Sequence, residues 1–334
     1  MREIKFIRKF LKKIVQIVIV LCVTILLFDL AYRNSIIDFY KSELVSLNTG
    51  EDLNSKTIDF LVFGDSFTAW ENNYVSNLKN LYPKKSFINS SISGIGIKEV
   101  NTFAEKRIEK YEPKNIIYQV YVGNDLIDVR HLQNWQDLSF ARNVYWKASN
   151  YLPSIIYLNK KLKHFKKDRN YDTSKMQLKG FKLSQYNERE KLLIKANSEY
   201  LYNSFNIEGS FKIRYDIWKK ELNDFLELVP DETNVYIVFI PHCAQLNEYY
   251  YNNMLDLGAH FRVKEKTLTE DYVFFTNVVS DFKDNEHVTF LNPLMSLRAN
   301  DSEKQRLYFE NDPHFNLDGQ LIMTKYIQEQ IFSK

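Results

Sequence analysis

Five short apolar segments, separated by stretches of helical periodicity, constrain the fold of this chain more than any other feature. Continuous apolar runs of this length are typical of strands buried on both faces of a parallel sheet. Strand followed by helix, repeated along one chain, predicts a doubly wound, three-layer α/β/α sandwich. The predicted strands are 58–63, 86–89, 115–122, 234–240 and 287–291, and the predicted helices are about 70–81, 97–111, 211–228, 267–282 and 317–332.

The N-terminal segment predicts a membrane anchor. Residues 1–13 carry six basic side chains and one acid, and residues 14–28 carry no charge. A span needs about 20 residues, which is reached when the run extends to residue 32 and the flanking lysines snorkel. The basic flank predicts a cytoplasmic N-terminus and places the rest of the chain outside. The alternative is a cleaved signal peptide, against which the best small-x-small candidate has Asp29 where a small residue is needed.

Beyond the anchor, the composition indicates a stalk and one large domain. An interval within that domain does not fit the strand-helix repeat and is too long for a crossover loop. It is rich in lysine and arginine, and we interpret it as an inserted basic and aromatic helical subdomain, or cap, beside the cleft; the alternative is a solvated basic face without a role. The predicted units are a basic tail (1–13), an anchor (14–32), a stalk (33–56), and a domain (57–334) with its insert at about 126–210.

Composition argues against several classes of function. The net charge is +3 over 334 residues, which does not favour nucleic-acid binding. Cys22 and Cys243 are too few for a disulfide framework and are expected to be free. The histidines show no metal-ligand spacing, and the chain has neither a P-loop nor a Gly-x-Ser-x-Gly elbow. No metal and no cofactor are therefore predicted.

Three of the predicted strands end in residues suited to acyl transfer. Ser66 follows the first strand in Gly-Asp-Ser-Phe, Gly94 follows the second, and Asn124 ends the third in Gly-Asn-Asp. A serine at a strand-to-helix turn exposes its hydroxyl and places its N–H at a helix N-terminus. The backbone of Gly94 and the amide of Asn124 would add oxyanion donors, each contributing about 3–4 kcal/mol. His314, just before the last helix, would accept the serine proton.

These four blocks, in this order, resemble the SGNH or GDSL-type hydrolase superfamily, which is named after its Ser, Gly, Asn and His. The resemblance implies that Ser66 is the nucleophile and His314 the base. It implies an oxyanion hole formed by Ser66, Gly94 and Asn124. Each block alone is weak, but four at strand ends or before the last helix form a specific pattern.

The resemblance covers about 57–125 and 234–332 and implies a flavodoxin-like SGNH fold. It departs from the superfamily at the last block, which usually reads Asp-x-x-His. Here Asn311 stands three residues before His314, and the acid, Asp312, stands two before. This spacing is similar to that of membrane-anchored SGNH proteins that O-acetylate secreted polysaccharides. Because the intervening proline favours an extended segment, Asp312 is predicted to orient His314 while Asn311 faces away.

Other polar residues near these blocks have simpler interpretations. Asp65 is expected to be a turn residue, and Asp125 and Asp128 are expected to cap the segment that follows. His242 would either pack in the interior or line the cleft, and packing is the default. Cys243 is interpreted as a buried thiol.

Three functions follow from the sequence, in order of preference. The first is a membrane-anchored serine esterase that acts outside the cytoplasm on acyl esters, chiefly O-acetyl esters of cell-envelope glycans. The second is an O-acyltransferase that uses the same site and a multispan acyl-donor partner. The third is a non-catalytic glycan-binding protein, which the joint presence of Ser66, Asn124 and His314 disfavours.

Overall fold

The central element of the structure is one sheet of five strands. The computed structural model describes residues 2–70, 72–130, 140–164, 177–269 and 271–333. The strands are β1 (Phe60–Phe63), β2 (Phe87–Asn89), β3 (Asn115–Tyr121), β4 (Asn234–Ile240) and β5 (Val288–Leu291). They are parallel and lie in the order β2-β1-β3-β4-β5.

Each strand is formed by one of the apolar runs, so the predicted α/β class with a central parallel sheet is confirmed. The strand order is that of flavodoxin-like folds. All four residues of β1 are buried, as is expected for a strand covered on both faces. β3 and β4 are paired along all seven residues and form the centre of the sheet.

Helices cover the sheet. Right-handed crossovers to either side of β1 place the helices after β1 and β2 on opposite faces. The described helices are α1 (Arg2–Arg33), α2 (Lys41–Leu47), α3 (Tyr74–Leu81), α4 (Ile97–Tyr111), α5 (Asp125–Asp128), α6 (Phe140–Ser149), α7 (Ser154–His164), α8 (Glu188–Ala196), α9 (Tyr200–Asn206), α10 (Phe211–Leu226), α11 (Glu248–Asp256), α12 (Lys264–Thr267), α13 (Val273–Asp281), α14 (Leu294–Asn300) and α15 (Leu317–Ile327). α3 packs against α15, and α4 packs against α10.

The boundaries of two helices differ from the prediction. The helix predicted at about 70–81 begins at Tyr74, because the side chain of Asn73 accepts a hydrogen bond from the N–H of Ser76 at 3.0 Å. α4 has the predicted bounds. The predicted helix 267–282 is shorter, since α13 starts at Val273. α11 and α14 lie in segments to which the sequence analysis assigned no helix.

Residues 33–56, which we expected to form a stalk, pack against the domain. Tyr40 and Leu44 lie four residues apart on one face and are buried in the main core. The Asn48 side chain donates to the carbonyl of Asn89 at 2.8 Å and accepts from its N–H at 2.7 Å. The segment therefore binds the end of β2 and forms part of the domain. The apolar residues at positions 40 and 44, four residues apart, were the feature of the sequence that could have predicted this packing.

The N-terminal helix α1 is long and apolar enough to cross a membrane, with a mean hydropathy of 2.7 in its most apolar window. A membrane span and a signal sequence share this profile. The helix is exposed along most of its length, but its last turns pack on the domain. Phe28 contacts the rings of Phe39 and Tyr157, with centroids 5.6 and 6.3 Å away. Asp29, the acid that interrupts the apolar run, accepts a hydrogen bond from the N–H of Ser154 at 3.0 Å.

Candidate active site

The predicted site residues lie at the carboxyl edge of the sheet. Ser66 follows β1, Gly94 follows β2, and Asn124 directly precedes α5 after β3. In doubly wound sheets the strand order changes direction next to β1, and a crevice opens outside the strand ends at that point. The fold therefore brings these three segments to the position where such sheets bind ligands.

A continuous hydrogen-bonded line joins three of the predicted residues. The Ser66 hydroxyl lies 2.7 Å from Nε2 of His314. Nδ1 of His314 is hydrogen-bonded to Oδ1 of Asp312, and the same oxygen accepts the backbone N–H of His314 at 3.0 Å. Asp312 is buried, whereas Ser66 and His314 are half-buried at the cleft. This arrangement orients the imidazole with its free nitrogen towards a serine hydroxyl.

Asn311, the residue at the spacing usual for the superfamily's acid, bonds to a different part of the chain. Its side-chain oxygen accepts the N–H of Lys182 at 2.8 Å. Its side-chain nitrogen donates to the carbonyls of Leu178 and Gly180 at 3.1 and 3.0 Å. Asn311 thus ties the predicted insert to the loop that carries His314.

Asn187, which the sequence analysis did not single out, contacts the acid of this line. It caps α8, and its Oδ1 accepts the N–H groups of Arg189 and Glu190 at 2.9 and 3.1 Å. Its Nδ2 donates to Oδ2 of Asp312 at 2.6 Å. Because backbone donors occupy the oxygen, the orientation of the amide is determined. Asn187, with Glu188 and Glu190 after it, is a sequence signal for a helix start. No residue near position 187 indicates that Asp312 is its partner.

The environment of His314 favours its charged form. Burial alone lowers the pKa of His314, but the Asp312 carboxylate outweighs that effect and raises the pKa above 6.5. Asp65 adds to the increase, and Arg189 opposes it. Burial also raises the pKa of Asp65 to about 6.

The donors expected to form the oxyanion hole are unused in the described part of the chain. Neither the N–H of Ser66 nor that of Gly94 donates to any described residue. The Asn124 side chain likewise has no described hydrogen-bond partner, and its Oδ1 is buried. Gly94 is exposed at φ +74°, a left-handed conformation that glycine adopts without strain. Three polar donors without a described partner thus follow strands that end at the same edge of the sheet.

The expected helix N-terminus at Ser66 is absent. Ser66 lies in a turn in which Asp65 accepts the N–H of Phe67 on its side chain at 2.9 Å. The carbonyl of Asp65 accepts the N–H of Ala69 at 2.9 Å, and α3 starts only at Tyr74. Any stabilisation of charge at Ser66 must therefore come from individual donors and not from the dipole of α3. Asp65 is a turn residue, as expected.

Two aromatic side chains flank the imidazole. The Phe67 ring centroid lies 4.9 Å from that of His314, and the Trp70 ring lies roughly parallel to the imidazole at 6.2 Å. Both follow Ser66 in the same turn.

The remaining polar residues have structural contacts. Asp128 pairs with Arg189 of α8 at 2.9 Å, and Asp125 is buried in α5. His242 is fully buried, and its Nδ1 accepts the N–H of Ala244 at 3.1 Å, which caps a short turn. Cys243 is also buried and free. Among the described residues, no group of three or more His, Cys, Asp and Glu side chains is placed to hold a metal ion.

Comparison with known proteins gives distant structural matches. No protein-family model and no curated protein sequence matches the chain. A candidate acylhydrolase from Bacteroides fragilis is 11% identical with a TM-score of 0.43, covering 88% of this chain and 94% of that one. A GDSL-like lipase from Bacteroides thetaiotaomicron is 11% identical with a TM-score of 0.42, covering 90% and 98%. An acetylxylan esterase from Geobacillus stearothermophilus is 13% identical with a TM-score of 0.37, covering 83% and 94%.

Proposed function

We propose that this protein is a membrane-anchored serine esterase of the SGNH type that cleaves acyl esters. The observation that carries the proposal is the hydrogen-bonded line from Ser66 through His314 to Asp312, at the carboxyl edge of a parallel sheet. In this proposal Ser66 is the nucleophile, His314 the general base and Asp312 the orienting carboxylate.

The first half of the reaction forms an acyl-enzyme. The Ser66 oxygen attacks the ester carbonyl carbon while its proton passes to Nε2 of His314. The N–H groups of Ser66 and Gly94 and the amide of Asn124 stabilise the oxyanion. The intermediate collapses, the ester C–O bond breaks, and the leaving alkoxide takes the proton from His314.

The second half releases the acyl group. A water molecule gives one proton to His314 and attacks the acyl carbon, and collapse breaks the bond to Ser66. The Ser66 oxygen recovers the proton from His314, and a carboxylic acid leaves. Asp312 stabilises the imidazolium in both halves.

O-acyl transfer is the second candidate function, and the contacts of the insert favour it. Lys182 and Asn187 bond directly to Asn311 and Asp312, so residues of 126–210 lie against the acid of the site. Such a cap would limit access of water, and a glycan hydroxyl would then replace water in the second half. We propose esters of cell-envelope glycans as the substrate class for either outcome.

Esterase assays on the full-length protein in detergent test this proposal. Wild-type protein is expected to hydrolyse p-nitrophenyl acetate and to react with a fluorophosphonate probe. Ser66→Ala should abolish both, whereas Ser46→Ala, at an exposed serine of α2, should abolish neither. Added glycan acceptor would raise acyl transfer at the expense of hydrolysis if the second function holds. Absence of probe labelling in folded wild-type protein would favour the non-catalytic glycan-binding function.

We propose that α1 is an uncleaved anchor with a cytoplasmic N-terminus and that the domain faces outward. Counting the snorkelling Lys12 and Lys13, residues 12–28 supply about 17 residues, the short end of the range for a span, before the helix docks on the domain. The docked last turns support this placement, since Asp29 is satisfied by Ser154 and by Arg33 at 2.6 Å. A C-terminal reporter active only outside the cytoplasm should give signal, and the intact chain should resist alkaline extraction. Release of a species shortened by about 30 residues would indicate a signal peptide.

A further inference from the structure

We propose that Lys160 is a positioning residue for the oxyanion site, because it orients and polarises the peptide unit between Ser93 and Gly94. This inference rests on the proposed function, in which the N–H of Gly94 stabilises the oxyanion. The observation that carries it is a hydrogen bond of 2.9 Å from the Lys160 ammonium to the carbonyl of Ser93.

The geometry of the peptide unit explains how a hydrogen bond to the Ser93 carbonyl affects the N–H of Gly94. A peptide unit is planar and trans, so the Ser93 carbonyl and the Gly94 N–H point in opposite directions. An ammonium that holds the carbonyl on one side therefore aims the N–H to the other. A cation on the carbonyl also draws electron density along the amide, which makes the N–H a stronger donor.

This peptide unit needs an external contact to hold it. The loop is fixed on one side by the N–H of Ile92, bonded to the carbonyl of Gly64 at 3.0 Å, and on the other by the N–H of Gly96, bonded to Glu99 at 3.1 Å. Between them, Gly94 is exposed, and glycine adopts many backbone conformations. Across the described ranges of the chain, Lys160 supplies the side-chain hydrogen bond to this unit.

α7, the helix that carries Lys160, is itself fixed to the anchor. Its first residue, Ser154, donates its N–H to Asp29 of α1 at 3.0 Å, and Tyr157 packs on Phe28 and on Tyr40. Six residues after Ser154, the helix reaches the Ser93 carbonyl. α7 thus connects the end of the predicted span to the loop of the oxyanion site.

The charge of Lys160 depends on its surroundings. Burial lowers the pKa of Lys160 to about 8, while Glu43 of α2 raises it and Lys161 on the same helix lowers it. The Tyr40 ring lies 5.7 Å from the ammonium. Lys160 is therefore charged at neutral pH and loses its charge as the pH rises through about 8, and the polarisation of the amide should be lost with it.

The neighbouring lysine provides a matched control. Lys161 lies on the same helix, but its ammonium pairs with Glu43 at 2.8 Å and contacts Ser42 at 3.3 Å. In the full-length protein at pH 7, Lys160→Met should lower kcat on p-nitrophenyl acetate ~10-fold with little change in KM, less than the ~10²–10³ lost when a donor is removed. Lys161→Met should leave kcat unchanged, and Lys160→Arg should restore most of it. Equal kcat in folded Lys160→Met and Lys161→Met would overturn the proposal.

A second readout does not depend on turnover. The chain has 9 glycines, so selective ¹⁵N-glycine labelling gives a sparse amide spectrum in which the Gly94 signal is identified by its loss in Gly94→Ala. In wild type, the Gly94 amide shift should change with a midpoint near pH 8. In Lys160→Met this transition should be absent, and in Lys161→Met it should remain. A Gly94 signal that is insensitive to pH in wild type would overturn the inference. Absence of Ser66-dependent turnover would instead contradict the proposed esterase function.

Discussion

The side-chain amide of Asn187 donates to Oδ2 of Asp312 at 2.6 Å, while its own oxygen caps α8. Asn187 lies 125 residues before Asp312 in sequence. One oxygen of the Asp312 carboxylate is thus hydrogen-bonded to His314, and the other is held by the segment that interrupts the strand-helix repeat. We interpret the insert as a structural part of the proposed site, because its removal would leave Oδ2 of a buried acid without this donor.

Asn187→Ala should lower kcat by ~10-fold, since a loosened Asp312 orients His314 less well. It should also cost about 1 kcal/mol of stability through the lost helix cap. Asn247→Ala is the control for the cap alone. Asn247 caps α11 in the same way, and its Nδ2 donates to Asp301 at 2.8 Å. Steady-state kinetics and denaturant unfolding of both variants check this, and an equal loss of kcat in the two would contradict a specific role for Asn187.

The choice of acid is tested by two neighbouring substitutions. Asp312→Asn should lower kcat by a factor on the order of 10⁴ if the line behaves like the triad of serine proteases. Asn311→Ala should affect kcat mildly and stability more, because it releases the segment held at Leu178 and Gly180. The ranking is measured as kcat of protein shown to be folded by circular dichroism. A larger loss of kcat for Asn311→Ala than for Asp312→Asn would show that Asp312 is the wrong choice of orienting residue.

Asn124→Ala should reduce kcat by ~10²–10³ with a smaller effect on KM, because an oxyanion donor acts mainly in the transition state. The Asn124 side chain has no described partner, so its removal breaks no visible structural bond. Kinetics over a range of substrate concentrations separate the two constants. An effect confined to KM would make Asn124 a residue of ground-state substrate binding.

The pH dependence of turnover should reflect the raised pKa of His314. The general base must be neutral, so kcat/KM should fall as the pH decreases through a pKa above 6.5. Asp312→Asn removes the carboxylate that raises this pKa, and the acidic limb of the residual activity should move to lower pH. The pH profiles of both proteins provide the test. An acidic limb that stays in place in the variant would assign it to another group.

Glu99 should make stability depend on pH in the opposite sense to a paired carboxylate. Burial raises the pKa of Glu99 from 4.5 to about 7, so the folded state binds the proton more tightly than the unfolded chain. Its contribution to stability therefore falls as the pH rises from about 4.5 to about 7. The free energy of unfolding of Glu99→Gln, relative to that of wild type, should therefore increase as the pH rises from 4 to 8, by up to ~3 kcal/mol. Glu105→Gln, at an exposed position of α4, should show no such gain in denaturant unfolding.

The sheet was predictable because its signal is local. Buried parallel strands are continuous apolar runs, so each strand lies within the predicted limits. The residues at the strand ends were predictable for a related reason, since the fold class alone brings those ends to one edge. The prediction of Asp312 over Asn311 rested on the proline between acid and histidine, on the two-residue period of an extended segment, and on the ability of a carboxylate, unlike an amide, to stabilise an imidazolium.

The contacts that support the site were not predictable in this way. Asn187 and Lys160 lie in the interval that breaks the repeat, and their partners are far away in sequence. A single sequence carries no record of such pairings. The segment around Tyr40 was predicted to be a stalk because its composition is polar, but Tyr40 and Leu44, four residues apart, are buried in the core.

The central claim is that Ser66 carries the acyl group, and mass spectrometry of the trapped intermediate tests it most directly. Full-length protein is mixed with p-nitrophenyl acetate, quenched in acid within the first turnovers, digested and sequenced by tandem mass spectrometry. We expect the mass increment of one acetyl group on Ser66 in wild type and no acetylated active-site peptide in Ser66→Ala. An acetyl group on a different residue, or turnover that persists in Ser66→Ala, would contradict the account.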